Sequence, residues 1–163
     1  MKRFKIELVT RGAKASIYTI RFEGEENELR KFFKLHTSKY NRELQIISAV
    51  IDNIANKRGA LNHIVKVREG KLCDAVVAVP NLPNDECSLR LYCWRISPQT
   101  LIIFNGGLKT QRTYQEIPEL DIIVKDLQKI GKLIDEKSRY PDPEIVLNGN
   151  NLEGIKDFFS IDE

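Results

Sequence analysis

Acidic residues are missing from one stretch: residues 87–115 hold no Asp or Glu in a 163-residue chain that carries 23, where an even spread would put about four. Cysteine is scarce. Cys73, Cys87 and Cys93 form an odd set with no CxxC pair and lie in apolar, strand-like runs, which argues against a disulfide framework and for a reducing cytoplasm. No run approaches ~18 uninterrupted apolar residues, and the charged start MKRFKIELVTRG has no apolar core, so neither a membrane span nor a secretory leader is expected. GxxxxGK[ST] is absent, which removes support for a nucleotide P-loop, and GxSxG and its relatives are absent, which leaves Ser/His/Asp catalysis without a local signature. The two histidines, His36 on an apolar helix face and His63 at a strand start, have no Cys or Asp partner in sequence and read as structural; no metal or other cofactor is expected. Asp52, Asp74, Asp85 and Glu86 are scattered, which speaks against a paired-carboxylate hydrolase.

In place of acids, the stretch holds Arg90, Arg95, Lys109 and Arg112, interleaved with Tyr92, Trp94, Phe104 and Tyr114. Cations favour a polyanion and aromatic faces suit bases, so the composition points to a nucleic-acid or phosphate surface. Charge is divided unevenly elsewhere too. Residues 142–163 carry six acids against one lysine, a net −5 that leaves +8 on the body of a chain whose formal charge is +3. The expected organisation is one α+β domain over residues 1–140 with an acidic tail over 141–163.

Residues 4–10 and 15–23 alternate or run apolar around Gly12, which predicts a β-hairpin. Glu25, Glu26 and Glu28 precede Arg30, Lys31 and Lys34, the charge order that suits a helix dipole, and Leu29, Phe32, Phe33 and His36 share a side. Asn41 can cap a second helix with Leu44, Ile47, Ile51 and Ile54 at helical spacing and Gly59 as its stop. Strand-like runs follow at 64–67, 75–79, 89–96 and 101–104, the last apolar on both faces as a central strand should be. Pro118 opens a final amphipathic helix to about Lys137. The expected fold is therefore α+β, a helical pair packed on an antiparallel sheet, with an N-terminal hairpin and a C-terminal helix. In the tail, Ile145, Val146 and Leu147, or Phe158 and Phe159, can dock on the body, or the tail can compete in cis for the basic surface.

On the strand 89–96, Leu89, Leu91 and Cys93 point one way while Arg90, Tyr92 and Trp94 point the other. Tyr92 and Trp94 then either pack beneath a helix with Arg90 reaching the rim, or face a ligand. The central strand empties into Asn105-Gly106-Gly107-Leu108-Lys109-Thr110-Gln111-Arg112-Thr113-Tyr114, where two glycines permit close approach and two cations and a phenol follow.

The segments Leu89-Arg90-Leu91-Tyr92-Cys93-Trp94-Arg95 and Leu101-Ile102-Ile103-Phe104-Asn105-Gly106-Gly107-Leu108-Lys109-Thr110, with the order helix, helix, antiparallel meander, resemble the RelE/HigB-like toxin family of bacterial toxin–antitoxin systems over residues 25–137. The resemblance implies a metal-independent endoribonuclease that cuts mRNA, in most members on the ribosome, and a cognate antitoxin that neutralises it. It assigns catalysis to Arg90, Lys109, Arg112 and Tyr114, and the neighbouring Tyr92, Trp94 and Arg95 become the expected RNA contacts. Thr110 stands where the family often has a second lysine, and the first hairpin and acidic tail are additions. Two other readings stand beside it: a non-catalytic nucleic-acid or protein-binding module of the same fold, and an interaction protein that works through its acidic tail.

Overall fold

The structure, a computed structural model, describes residues 1–61, 66–67, 76–80, 88–109 and 114–163. The chain opens with a hairpin of β1 (Lys2–Arg11) and β2 (Ser16–Phe22), in which Phe4 and Ile6 face inward and a bulge lies between Leu8 and Thr10. Gly12 is needed at the turn because a Cβ there would meet the Ala55 carbonyl oxygen at 2.1 Å. Helix α1 (Glu28–His36) starts where the Asn27 side chain accepts from the Arg30 amide at 2.8 Å, a cap that satisfies one of the free first-turn donors. Helix α2 (Asn41–Asn53) begins one residue earlier than expected: Tyr40 occupies the cap, and Asn41 is already helical. The helix widens into a π-turn, Ile54–Arg58, and stops at Gly59, whose φ of 77° is the left-handed value a C-terminal glycine supplies cheaply.

Among the described residues, four strands follow, β3 (Lys66–Val67), β4 (Val76–Val79), β5 (Leu89–Ser97) and β6 (Thr100–Leu108), and then α3 (Pro118–Lys137), with Pro118 in its first turn. Expected strand residues 64, 65 and 75 lie outside the described residues. The seven-stranded sheet runs β3-β4-β5-β6-β2-β1 and ends on a last strand from the tail, Phe159–Ile161, so β6 is central and Leu101, Ile102, Ile103 and Phe104 are buried from both faces.

The sheet corrects the expectation of a purely antiparallel one. β2 and β6 pair in parallel, Ser16 beside Thr100 and Thr19 beside Ile103. The cause is the path of the chain: after β2 the helical pair carries it to the far edge, and the antiparallel walk back from β3 returns β6 beside β2 in the same direction. Helices cover both faces. On one, α1 and α2 bury Phe32, Leu44 and Ile47 against Ile17, Leu91, Leu101 and Ile103; on the other, α3 buries Leu120, Val124, Leu127 and Ile130 against Tyr92, Trp94, Ile102 and Phe104.

The acidic tail is folded. It forms a hairpin of β7 (Val146–Asn148) and β8 (Asn151–Glu153), then β9 (Phe159–Ile161), which extends the sheet along β1. Ile145, Leu152, Phe159 and Ile161 join the core on the α3 side, and the Tyr18 hydroxyl accepts from the Leu152 amide at 2.9 Å. A segment held by four buried apolar side chains and a sheet ladder is part of the body, which removes the basis for a freely competing tail. Among the described residues, no helix is long and apolar enough to cross a membrane.

Candidate functional site

The hairpin β5–β6 brings two of the expected catalytic positions, Arg90 and Lys109, to one end and one face of the sheet, and a third, Tyr114, packs on that face from outside the hairpin. Arg90 pairs with Gly107, and strand alternation puts Lys109, two residues on, on the same side; its amide donates to the Ser88 carbonyl at 2.9 Å. Tyr114 opens a short 3-10 turn before α3, and its ring meets Tyr92 edge-on with centroids 5.9 Å apart. Arg112 lies outside the described residues. Arg90 and Tyr114 are 7% and 9% exposed, whereas Lys109 is half-buried, so Lys109 is the most reachable of the three. The Arg90 guanidinium donates through Nη1 to the Leu89 carbonyl at 3.0 Å.

The expected RNA contacts distribute differently. Trp94 is 2% exposed and lies flat against α3 at Gly131, where a Cβ would meet its ring atoms at 2.2 to 2.4 Å. Tyr92 is 5% exposed in the same core. Both therefore follow the packing alternative, because Trp94 is spent on the helix and Tyr92 is buried in the core beside Tyr114, which closes both to a base. Arg95 alternates to the opposite face, with Leu91 and Cys93, and its Nε donates to the Ala60 carbonyl at 2.5 Å. It does not converge with Arg90 and Lys109.

The two glycines serve packing rather than a ligand cradle. β6 bulges between the pairs Leu91–Gly106 and Cys93–Ile103, and the bulge presses Gly106 so close to β5 that a Cβ would meet the Arg90 carbonyl oxygen at 1.8 Å. A Cβ at Gly107 would meet Leu120 of α3 at 3.2 Å. Asn105, at the bulge, donates to Glu28 Oε2 at 2.7 Å, and the Gly106 amide donates back to Asn105 Oδ1 at 2.7 Å.

Glu28 was not singled out by sequence reasoning. It is 5% exposed at the start of α1, where its carboxylate also accepts from Lys31 at 2.6 Å. It lines a cleft of about 490 Å³ at the carboxyl ends of the parallel pair β2–β6, floored by Phe22, Phe104 and Ile123 and rimmed by ion pairs such as Lys2–Asp126 at 2.9 Å. Asp126 holds the Lys2 ammonium above the ordinary lysine value by that hydrogen bond. The signal that could have located the cleft is the parallel pairing, since open sheets bind ligands outside the carboxyl ends of such strands, and that pairing is invisible before folding.

Cys93 is fully buried, and desolvation pushes its thiol far above the ordinary cysteine value, so it is not a nucleophile. Cys73, Cys87 and His63 lie outside the described residues. Among the described residues no group of three His, Cys, Asp or Glu side chains is placed to hold a metal ion. Comparison of the chain with family models, curated proteins and solved structures returns no match.

Proposed function

We propose that this chain is an RNA-directed toxin of the RelE/HigB-like kind, a metal-independent endoribonuclease that engages mRNA at the β5–β6 end of the sheet, on the ribosome, and is held in check by a cognate antitoxin. The observation that carries the reading is the shared face and shared sheet end of Arg90 and Lys109, with the Tyr114 ring packed beside them against Tyr92. The order of helical pair, meander and closing helix supports a RelE-like core, to which the N-terminal hairpin, with β2 parallel to β6, and the folded tail are additions.

The chemistry asks little of the protein. RNA carries its own nucleophile, the 2′-hydroxyl, so the site must align it with the adjacent phosphate and stabilise charge on the phosphoryl oxygens. Arg90, permanently charged and fork-shaped, suits the second task, and Arg112, outside the described residues, is the second cation that the resemblance assigns to it. Lys109 or Tyr114 handles the proton. The deep burial of Arg90 and Tyr114 favours a second reading, a non-catalytic RNA-binding module in which Lys109 grips phosphate and the rest is packing.

Induced expression in a bacterial host, scored for growth arrest and for cleavage of cellular mRNA, separates the two. Wild type arrests growth and Lys109→Ala does not under the enzymatic reading. Absence of arrest and cleavage by wild type, with RNA binding retained in vitro, leaves the binding module.

A further inference from the structure

The feature that the site leaves unused is a row of cations on the outer face of the hairpin. β1 alternates, with Phe4 and Ile6 in the core beneath α3 and Arg3, Lys5 and Glu7 on the other side, where no β1 residue belongs to the core under α1 and α2. Register sets Lys5 opposite Arg21, and the β1–β9 ladder, which faces Phe4 with Phe159, brings Phe158 alongside Lys5. The Phe158 ring gathers all three cations: the Lys5 ammonium at 4.7 Å from its centroid, the Arg3 guanidinium at 4.8 Å and that of Arg21 at 5.9 Å. Arg3 keeps Glu23 at 2.6 Å and Arg21 keeps Glu7, but Lys5 has no ion pair among the described residues.

Three like charges around one ring repel one another, and two carboxylates and the cation–π attraction to the Phe158 ring offset only part of that. One positive charge is left over on an open sheet face, with the Arg3 side chain half exposed. A bound anion would complete the balance. Because β2 runs parallel to β6, and Lys5 pairs with Arg21 near the carboxyl end of β2, this row sits at the same sheet end as Lys109. Two strand spacings, about 10 Å, separate β6 from β1.

We propose that Arg3, Lys5 and Arg21, gathered by Phe158, form a second phosphate contact for single-stranded RNA, engaging a strand that passes Lys109 and rounds the sheet end. The inference rests on the RNA-directed reading above. It predicts sequence-independent binding through the backbone, with Lys5 as the principal contact because its ammonium is not already committed to a carboxylate.

The test is a titration of a fluorescein-labelled oligouridylate against the full chain, followed by anisotropy over a range of salt, for wild type, Lys5→Ala, Lys5→Arg and Lys109→Ala. Lys5→Ala should weaken binding roughly three- to tenfold at low salt, the size of one charge-assisted contact, with an unchanged melting temperature. The slope of log affinity against log salt should shrink by ~0.7, and Lys5→Arg should restore both. If Lys5→Ala binds like wild type while Lys109→Ala is weakened, the second contact is wrong and the first stands. If only Lys5→Ala is weakened, the row stands and the reading built on Lys109 falls. Absence of binding by wild type overturns both, and displacement of the RNA by oligoglutamate at equal charge concentration overturns the row as an RNA contact in favour of an acidic protein partner.

Discussion

The two faces of the sheet are built from different materials. The α3 side is aromatic, with Phe4, Tyr18, Phe22, Tyr92, Trp94, Phe104, Tyr114 and Phe159 in one cluster, while the sheet residues under α1 and α2 are aliphatic or small, among them Ile17, Val77, Val79, Leu89, Leu91, Leu101 and Ile103. The difference follows from the cover. A single helix cannot span a seven-stranded sheet, so the α3 side is filled by large rings and finished by the tail through Ile145, Leu152, Phe159 and Ile161. Two helices cover the middle of the other side with smaller groups and leave that face of β1 open, where Arg3 and Lys5 face outward. Polar surface is thus found where cover runs out, and the aromatic residues that composition singled out are found where cover is thinnest and must be thickened.

The largest break in this comparison should come from the tail. Phe159→Ala removes a ring that touches Phe4 at a centroid distance of 5.8 Å and is expected to cost about 3 kcal/mol, the low end for a buried phenylalanine because the site lies at the sheet edge. Urea unfolding measures it. A loss below ~0.5 kcal/mol, the range of surface substitutions, would show that the tail is not a wall of the α3 side.

Under the helix, Gly131→Ala forces a methyl against the Trp94 ring and should cost about 1–3 kcal/mol through overpacking, read as a lowered urea midpoint at unchanged slope. A neutral result would mean that α3 stands off the sheet and that Trp94 has room to face a ligand after all.

The smallest effect belongs to the opposite face. His36 is buried beside Phe32 and Tyr40, and desolvation, opposed by Glu43, holds its imidazole below the ordinary histidine value. The unfolded chain therefore takes up the proton first as pH falls. The stability this neutral histidine contributes is complete above about pH 6.5 and is lost as pH drops through the lowered folded value. Wild type should lose more melting temperature than His36→Leu between about pH 7.5 and pH 5. Parallel pH profiles for the two would place His36 in contact with water.

Much of the fold was legible because local periodicity carries it. α3 runs from Pro118 to Lys137 as its proline, its spacing of Leu120, Leu127, Ile130 and Ile134 and its following Tyr140-Pro141 indicate, and β6 reads as central because it is apolar on both faces. Alternation on β5 likewise separated Leu89, Leu91 and Cys93 from Arg90, Tyr92 and Trp94. Alternation says that a strand has two faces, however, and not what covers either of them. That is why Tyr92 and Trp94 had two readings until α3 was placed, and why Arg95, one residue on, leaves the group altogether.

The sequence by itself determined the first hairpin, the helices α1, α2 and α3, the two-sided apolar strand β6 and the cationic stretch, since these depend on neighbours within a turn or two of chain. Tertiary structure alone decided the parallel β2–β6 pair, the cleft at its carboxyl end, the seating of the tail and the gathering of Arg3, Lys5 and Arg21 around Phe158. Each of these depends on residues far apart in the chain, as with Tyr18 and Leu152, 134 positions from one another. Such contacts form only after loop closure has been overcome by burial elsewhere, and no local pattern records which of the possible closures wins.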